Sequence, residues 1–175
     1  MNWPERWRRA CTAADRLDAS AGGMAAVAVD GDRAVALEVS DDVARLLPLE
    51  RRAGGWVVGD DPVIEPMKFL VHSDRAAVEW SIGPLKVTTA GRTTWMFAGG
   101  LADPSPRIGA RVGDRSTLGA VNGDCFAAVV TDAPTAAKEI VLSGLPADSE
   151  EPLWTIASTP ANELTELSDT ADEDC

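Results

Sequence analysis

The sequence predicts an α+β fold in which antiparallel β-meanders are each backed by one short helix. Three observations predict it. First, apolar residues alternate over 77–89: Val78, Trp80 and Ile82 share one face, and Ala77, Glu79 and Ser81 the other. Gly83-Pro84 reads as a turn, after which Leu85, Val87 and Thr89 continue the inward face. Second, helix-start signals recur near Pro4, Pro62 and Asp124, about 60 residues apart, each followed by a pair or trio of strand patterns. Third, the strands after those signals rhyme: RAVALEVSD, PLKVTTAGR and PLWTIASTP. A sheet backed by helices on one face is a standard way to bury such apolar faces.

Taken in order, Pro4 to Ala19 reads as an amphipathic helix with proline in its first turn. Trp7, Ala10, Cys11, Ala14 and Leu17 gather on one side, and Arg6, Arg9 and Arg16 on another. Gly22-Gly23 ends the segment. A hairpin follows, Met24 to Asp30 and Arg33 to Val39, with Asp30-Gly31-Asp32 supplying the positive φ of a tight turn. Val27, Val29, Val35, Leu37 and Val39 form its inward set. Asp41 to Arg52 reads either as a third strand or as a helical turn, and Pro48 excludes a long helix. Gly54 to Val58 is a short strand.

Asp61 then caps a helix with Pro62 at its first position, running through Val63, Ile64, Met67, Phe69 and Leu70. Pro66 requires that helix to be short or kinked. A turn at Ala90-Gly91-Arg92 leads into Thr93 to Ala98, where Trp95 and Phe97 share a face. Gly99 to Ser116 is rich in Gly, Pro and Arg and reads as a connector. Thr117 to Val121 is a strand. Cys125 to Ala137 reads as a short apolar helix, with Val129 and Val130 leaving a strand open. Two strands follow, Lys138–Leu145 and Pro152–Thr159, across a loop at Pro146–Glu151. Residues 162–168 are a last strand or a helix capped from Thr159, and the tail is acidic. The resulting organisation is a two-repeat domain over 1–100, a connector over 101–116, a third repeat over 117–168 and an acidic tail over 169–175.

Composition bounds the function. The chain has 175 residues, of which 45% are apolar, so it makes one domain or two small ones. No apolar run approaches the roughly 18 residues of a membrane span. The first residues have arginines without an apolar core behind them, so no cleaved leader is expected. Three widely spaced cysteines, Cys11, Cys125 and Cys175, argue against a disulfide framework or metal cluster and fit a reducing cytoplasm. His72 is the only histidine. The pairs Asp41-Asp42, Asp60-Asp61 and Glu150-Glu151 sit at apparent turns, and no glycine-rich phosphate loop is present. No catalytic, metal-binding or cofactor-binding set can be assembled, so the chain is expected not to be an enzyme. The net charge of −12 opposes nucleic-acid binding unless the bases are segregated on one face.

The order strand (Gly54–Val58), helix (Asp61–Leu70) and meander ending at Thr93–Gly100 resembles the DNA sliding clamps of the bacterial β type. Val121–Leu145 followed by Pro152–Leu164 looks like the opening of a second clamp domain. The resemblance implies repeated βαβββ units, half of those in a clamp subunit, with helices lining a hole around duplex DNA in a ring of several copies. On that basis Arg6, Arg9, Arg16 and Lys68 face DNA. Trp3 and Trp7, on the first helix, are the candidates for a partner-facing surface. The alternative is an acidic protein-interaction module (an inhibitor, an immunity or chaperone-like protein, or a viral structural subunit) without DNA binding, steered by its charge.

Overall fold

A computed structural model describes residues 1–66, 77–102 and 105–159. Its first element, helix α1 (Trp3–Arg16), follows from its ends. The Glu5 amide donates to Asn2 Oδ1 at 2.9 Å, and Pro4 lies in the first turn, where no amide is needed. Leu17 closes the helix in the left-handed region at φ 52°, donating its amide to Ala13 and Ala14 carbonyls. Leu17 is therefore a cap facing solvent and does not join the apolar face.

The first sheet comprises β1 (Ala26–Asp30), β2 (Arg33–Ser40), β3 (Val43–Arg52), β4 (Gly55–Val58) and β5 (Val63–Pro66). Its order is β1-β2-β3-β4, with β5 also paired to β3. The middle sheet comprises β6 (Val78–Thr89), β7 (Arg92–Leu101), β10 (Ala120–Asn122) and β11 (Cys125–Ala133), ordered β10-β11-β7-β6. The third contains β8 (Arg107–Val112), β9 (Arg115–Leu118), β12 (Ile140–Leu145) and β13 (Trp154–Ser158), ordered β13-β12-β8-β9. Every pairing is antiparallel.

Three buried clusters stack these elements into four layers. Ala10, Ala13 and Ala14 of α1 lie on Val27, Ala34, Ala36, Leu47 and Leu49, the outer face of the first sheet. Ala26, Val35, Leu37 and Leu46 on its inner face meet Ile82, Met96, Ala98 and Val129 of the middle sheet. The far face of the middle sheet, with Trp95, Phe97, Phe126 and Val130, meets Ile108, Val112, Ile140 and Leu142 of the third. The order is helix, sheet, sheet, sheet.

This architecture overturns the α+β expectation of a helix behind each meander. Strand accounts for 59% of the described residues and helix for 12%, with α1 the one α-helix among them. Of the expected second helix, Val63–Pro66 is strand β5, paired with β3, and Met67 to Leu70 lie outside the described residues. The expected third helix is strand β11. Its residues are buried on both faces, so Phe126, Ala127, Ala128, Val129 and Val130 form an unbroken apolar run with no alternation to mark a strand. The expected connector contains strand β8 and the start of β9.

Other local expectations resolve individually. The β1–β2 hairpin forms as expected, but its apolar residues do not share one face. Val27 pairs with Ala36 and faces α1, whereas Val35 and Leu37 face the middle sheet. Within Asp41 to Arg52, Val43–Arg52 is strand β3, entered through a turn at Asp41, which sits at φ 51°. Pro48 is tolerated there because its carbonyl accepts from Gly59 on the side shared by β4 and β5, between the end of one pairing and the start of the other. Gly83-Pro84 is no turn. β6 runs through it with a shift of register between Ile82 and Leu85, and Gly83 sits at φ 91°. Residues 162–168 and the acidic tail lie outside the described residues.

Candidate interaction surface

The arginines of α1 are positioned by the same packing that seats the helix. Arg6 Nε lies 2.9 Å from Glu38 Oε1, and its Nη1 donates to the Met1 carbonyl at 2.6 Å. Glu38, at the rim of the first sheet, is 6% exposed and also receives Arg45 Nη1 at 2.9 Å. A carboxylate this buried requires such partners, so the Arg6–Glu38 pair fastens the helix start to the sheet. Arg9 reaches the other way. Its Nε donates to the Gly22 carbonyl at 2.9 Å and its Nη2 to Gly23 at 3.3 Å, clamping the chain reversal after the helix. Arg16 and Arg8 are exposed, and their side chains make no hydrogen bond or ion pair among the described residues. Lys68 lies outside them. Of the expected DNA contacts, Arg6 and Arg9 are thus engaged within the fold and Arg16 is exposed.

Trp3 and Trp7 are brought together. Their ring centroids are 6.3 Å apart, with the Arg6 guanidinium 5.2 Å above Trp3. Trp7 is half-buried against the helix–sheet core, while Trp3 is 37% exposed beside an exposed Met1.

Sequence reasoning missed a polar network joining the three sheets. An extra residue in β11 between Val130 and Ala133 places Asp132 at φ 52° and frees the Thr131 amide from its ladder. Asp30, at the end of β1, takes over that amide at 2.8 Å and the Thr131 hydroxyl at 2.7 Å through Oδ2. Arg115 of β9 donates to the Thr131 carbonyl at 3.0 Å and lies 3.6 Å from the same Asp30 oxygen. Alongside, Arg92 bridges Asp32 at 2.7 Å and Asp132 at 2.7 Å. The Asp-Gly-Asp turn was legible as a hairpin; its second task was not, because Thr131 is 101 residues from Asp30.

Hydrogen bonding to Arg92 holds the Asp32 and Asp132 carboxyls below the ordinary carboxylate range. A carboxyl whose folded pKa is depressed contributes stability that is complete above the unfolded value, about 4, and is lost as pH falls through the folded value. Thermal melts between about pH 6 and about pH 3 are expected to show that acid-side loss reduced in Arg92→Ala. Since Arg92 is exposed, salt near 1 M is expected to produce the same reduction in the unaltered chain. An acid limb identical in the two proteins would refute the assignment.

The remaining reactive groups are quiet. Burial pushes the Cys125 thiol up to about 11, with Asp124 adding to the shift, and burial also raises Cys11. Both are protonated near neutrality, the reverse of what a nucleophilic cysteine needs. Among the described residues no group of three or more His, Cys, Asp or Glu is placed to hold a metal ion. His72 lies outside them.

No protein-family model, curated protein or solved structure matches the chain. No helix among the described residues is long and apolar enough to cross a membrane.

Proposed function

We propose that this protein is a non-catalytic interaction module that binds another protein, with Trp3 and Trp7 as part of its contact surface. One observation carries the reading against DNA encirclement. Arg6 and Arg9, two of the three arginines that would meet a phosphate backbone, are engaged by Glu38 and by the carbonyls of Gly22 and Gly23. Turning them to DNA would break a helix–sheet ion pair and unclamp the reversal, and would leave Glu38 buried with one partner fewer. Arg8 and Arg16 alone cannot offset a chain of net charge −12. The acidic exterior favours a basic partner, drawn in by long-range attraction. Nothing in this reading requires a ring of copies. Cys11 and Cys125, free of any disulfide, fit a reducing compartment such as the cytoplasm.

Titration of a duplex oligonucleotide at two salt concentrations tests it. The expected result is no binding tighter than about 100 μM at either, the weak end of non-specific association. Submicromolar binding that weakens steeply with salt and disappears in Arg8→Ala/Arg16→Ala would restore the DNA reading and end this one.

A further inference from the structure

We infer that residues 160–175, the acidic segment following β13, dock on the arginine-bearing turns at the end of the molecule where β13 stops. This intramolecular contact shields those bases from other anions. It is separate from the Trp3–Trp7 surface.

Direct contacts gather the turns at one end. Arg92, after the β6–β7 turn, bridges Asp32 of the β1–β2 turn and Asp132 of the β11 bulge. The Arg51 amide, entering the β3–β4 turn, donates to the Asp32 carbonyl at 2.8 Å. Arg115, after the β8–β9 turn, reaches Asp30. The stretches 30–33, 50–55, 86–92, 111–115 and 131–139 that meet there hold eight bases and six acids, a balance of +2. The whole chain carries −12, so everything else carries −14. The bases are segregated.

Pairing within this end leaves donors over, because each guanidinium has five N–H groups. The Arg52 side chain is 68% exposed and gives one bond to Glu50. Arg111 is exposed and donates to the Gly113 carbonyl of its own turn. Among the described residues the Arg51 guanidinium meets the Trp56 ring, 5.6 Å from its centroid, and no carboxylate.

Chain path and charge choose the occupant. Strand β13 stops at this same end: Ser158 pairs with Ile140, and Ala157 lies across Val141 from Arg111, two strands or about 10 Å away. Residues 160–175 then carry Glu163, Glu166, Asp169, Asp172, Glu173 and Asp174 and no base, half of the net charge of the chain. Extended, they reach about 50 Å, against the about 20 Å that separates the third sheet from the first. Exposed ion pairs are individually weak, but attachment holds all six acids at an effective concentration of order mM.

A nitroxide on Cys175 of the full chain tests this, since the half-buried, protonated thiols of Cys11 and Cys125 react slowly. At low salt, paramagnetic broadening of backbone amides is expected at 51–55 and 111–115. It is not expected at Asp41-Asp42, at the other end of β2 and β3. Salt near 1 M, where the screening length falls to about 3 Å, is expected to abolish the broadening, as is exchanging the six acids for Asn and Gln. Arg52→Glu/Arg111→Glu, exposed substitutions whose thermal melts should match the unaltered chain, is expected to reduce it severalfold. Broadening equal at the two ends, or unchanged by neutralising the acids, overturns the inference. So does broadening of an isotope-labelled chain by a nitroxide carried on a different copy. None of these outcomes bears on the interaction-module reading, which the duplex titration decides.

Discussion

An alanine at Gly99 is expected to cost about 3 kcal/mol of folding free energy, the upper part of the range for overpacking a core. Gly99 lies in β7, an inner strand of the middle sheet, opposite Ser81 of β6 and Phe126 of β11. A Cβ there would collide with the Trp80 carbonyl and come within 3.0 Å of Ser81 Cα and 3.1 Å of the Phe126 ring. Two of those three neighbours are backbone of a hydrogen-bonded strand, so no change of rotamer relieves the collision. The sheet cannot bow away either, because other sheets press on both of its faces. Gly54 is the control: nothing lies within 4 Å of a Cβ built on it, and its alanine variant should stay within about 0.5 kcal/mol of the parent. Urea unfolding followed by tryptophan fluorescence measures both. If Gly99→Ala proves as well tolerated as Gly54→Ala, the middle sheet is not where the structure puts it.

Phe126→Ala is expected to cost about 3–5 kcal/mol, and Ala127→Leu, its immediate neighbour, about 1–3 kcal/mol. Phe126 is fully buried and stacks on Phe97, with ring centroids 5.8 Å apart, on the side of the third sheet. Ala127 is equally buried on the opposite side, against the first sheet. Truncating one leaves a cavity; enlarging the other forces two sheets apart. An ordinary half-buried strand over these residues would leave one of two consecutive positions facing water and indifferent to change. The same denaturation experiment decides it, with tolerance of Ala127→Leu contradicting a sheet sandwiched between two others.

The parts of this fold that were legible share a property: their signals act within a few residues. The start of α1 was marked by Pro4, and the β1–β2 hairpin by Asp30-Gly31-Asp32 between alternating runs. The strands Ile140–Leu145 and Trp154–Ser158 each have one wet face and so kept their alternation. Strand β8 was legible in principle. Ile108, Ala110 and Val112 alternate with Arg107, Gly109 and Arg111, but the surrounding glycines, prolines and arginines read as a connector. The alanines at 34 and 36 were likewise a sign that something flat and close, α1, lies on β2.

The candidate surface was half legible. Trp3 and Trp7 follow from helical spacing alone and do meet. The arginine row did not survive, since a helical projection says which residues share an arc, not what the arc faces. Arg6 finds its carboxylate 32 residues away, in β2.

Sequence alone determined the start of α1 at Pro4, the Asp30-Gly31-Asp32 turn and the strands over 140–145 and 154–158, because each depends on residues in contact along the chain. Tertiary structure alone decided that Cys125–Ala133 is strand and not helix, and that Arg6 pairs with Glu38. In both cases the deciding atoms arrive from distant layers: two flanking sheets erase the alternation, and a buried carboxylate at the rim of one of them claims the charge.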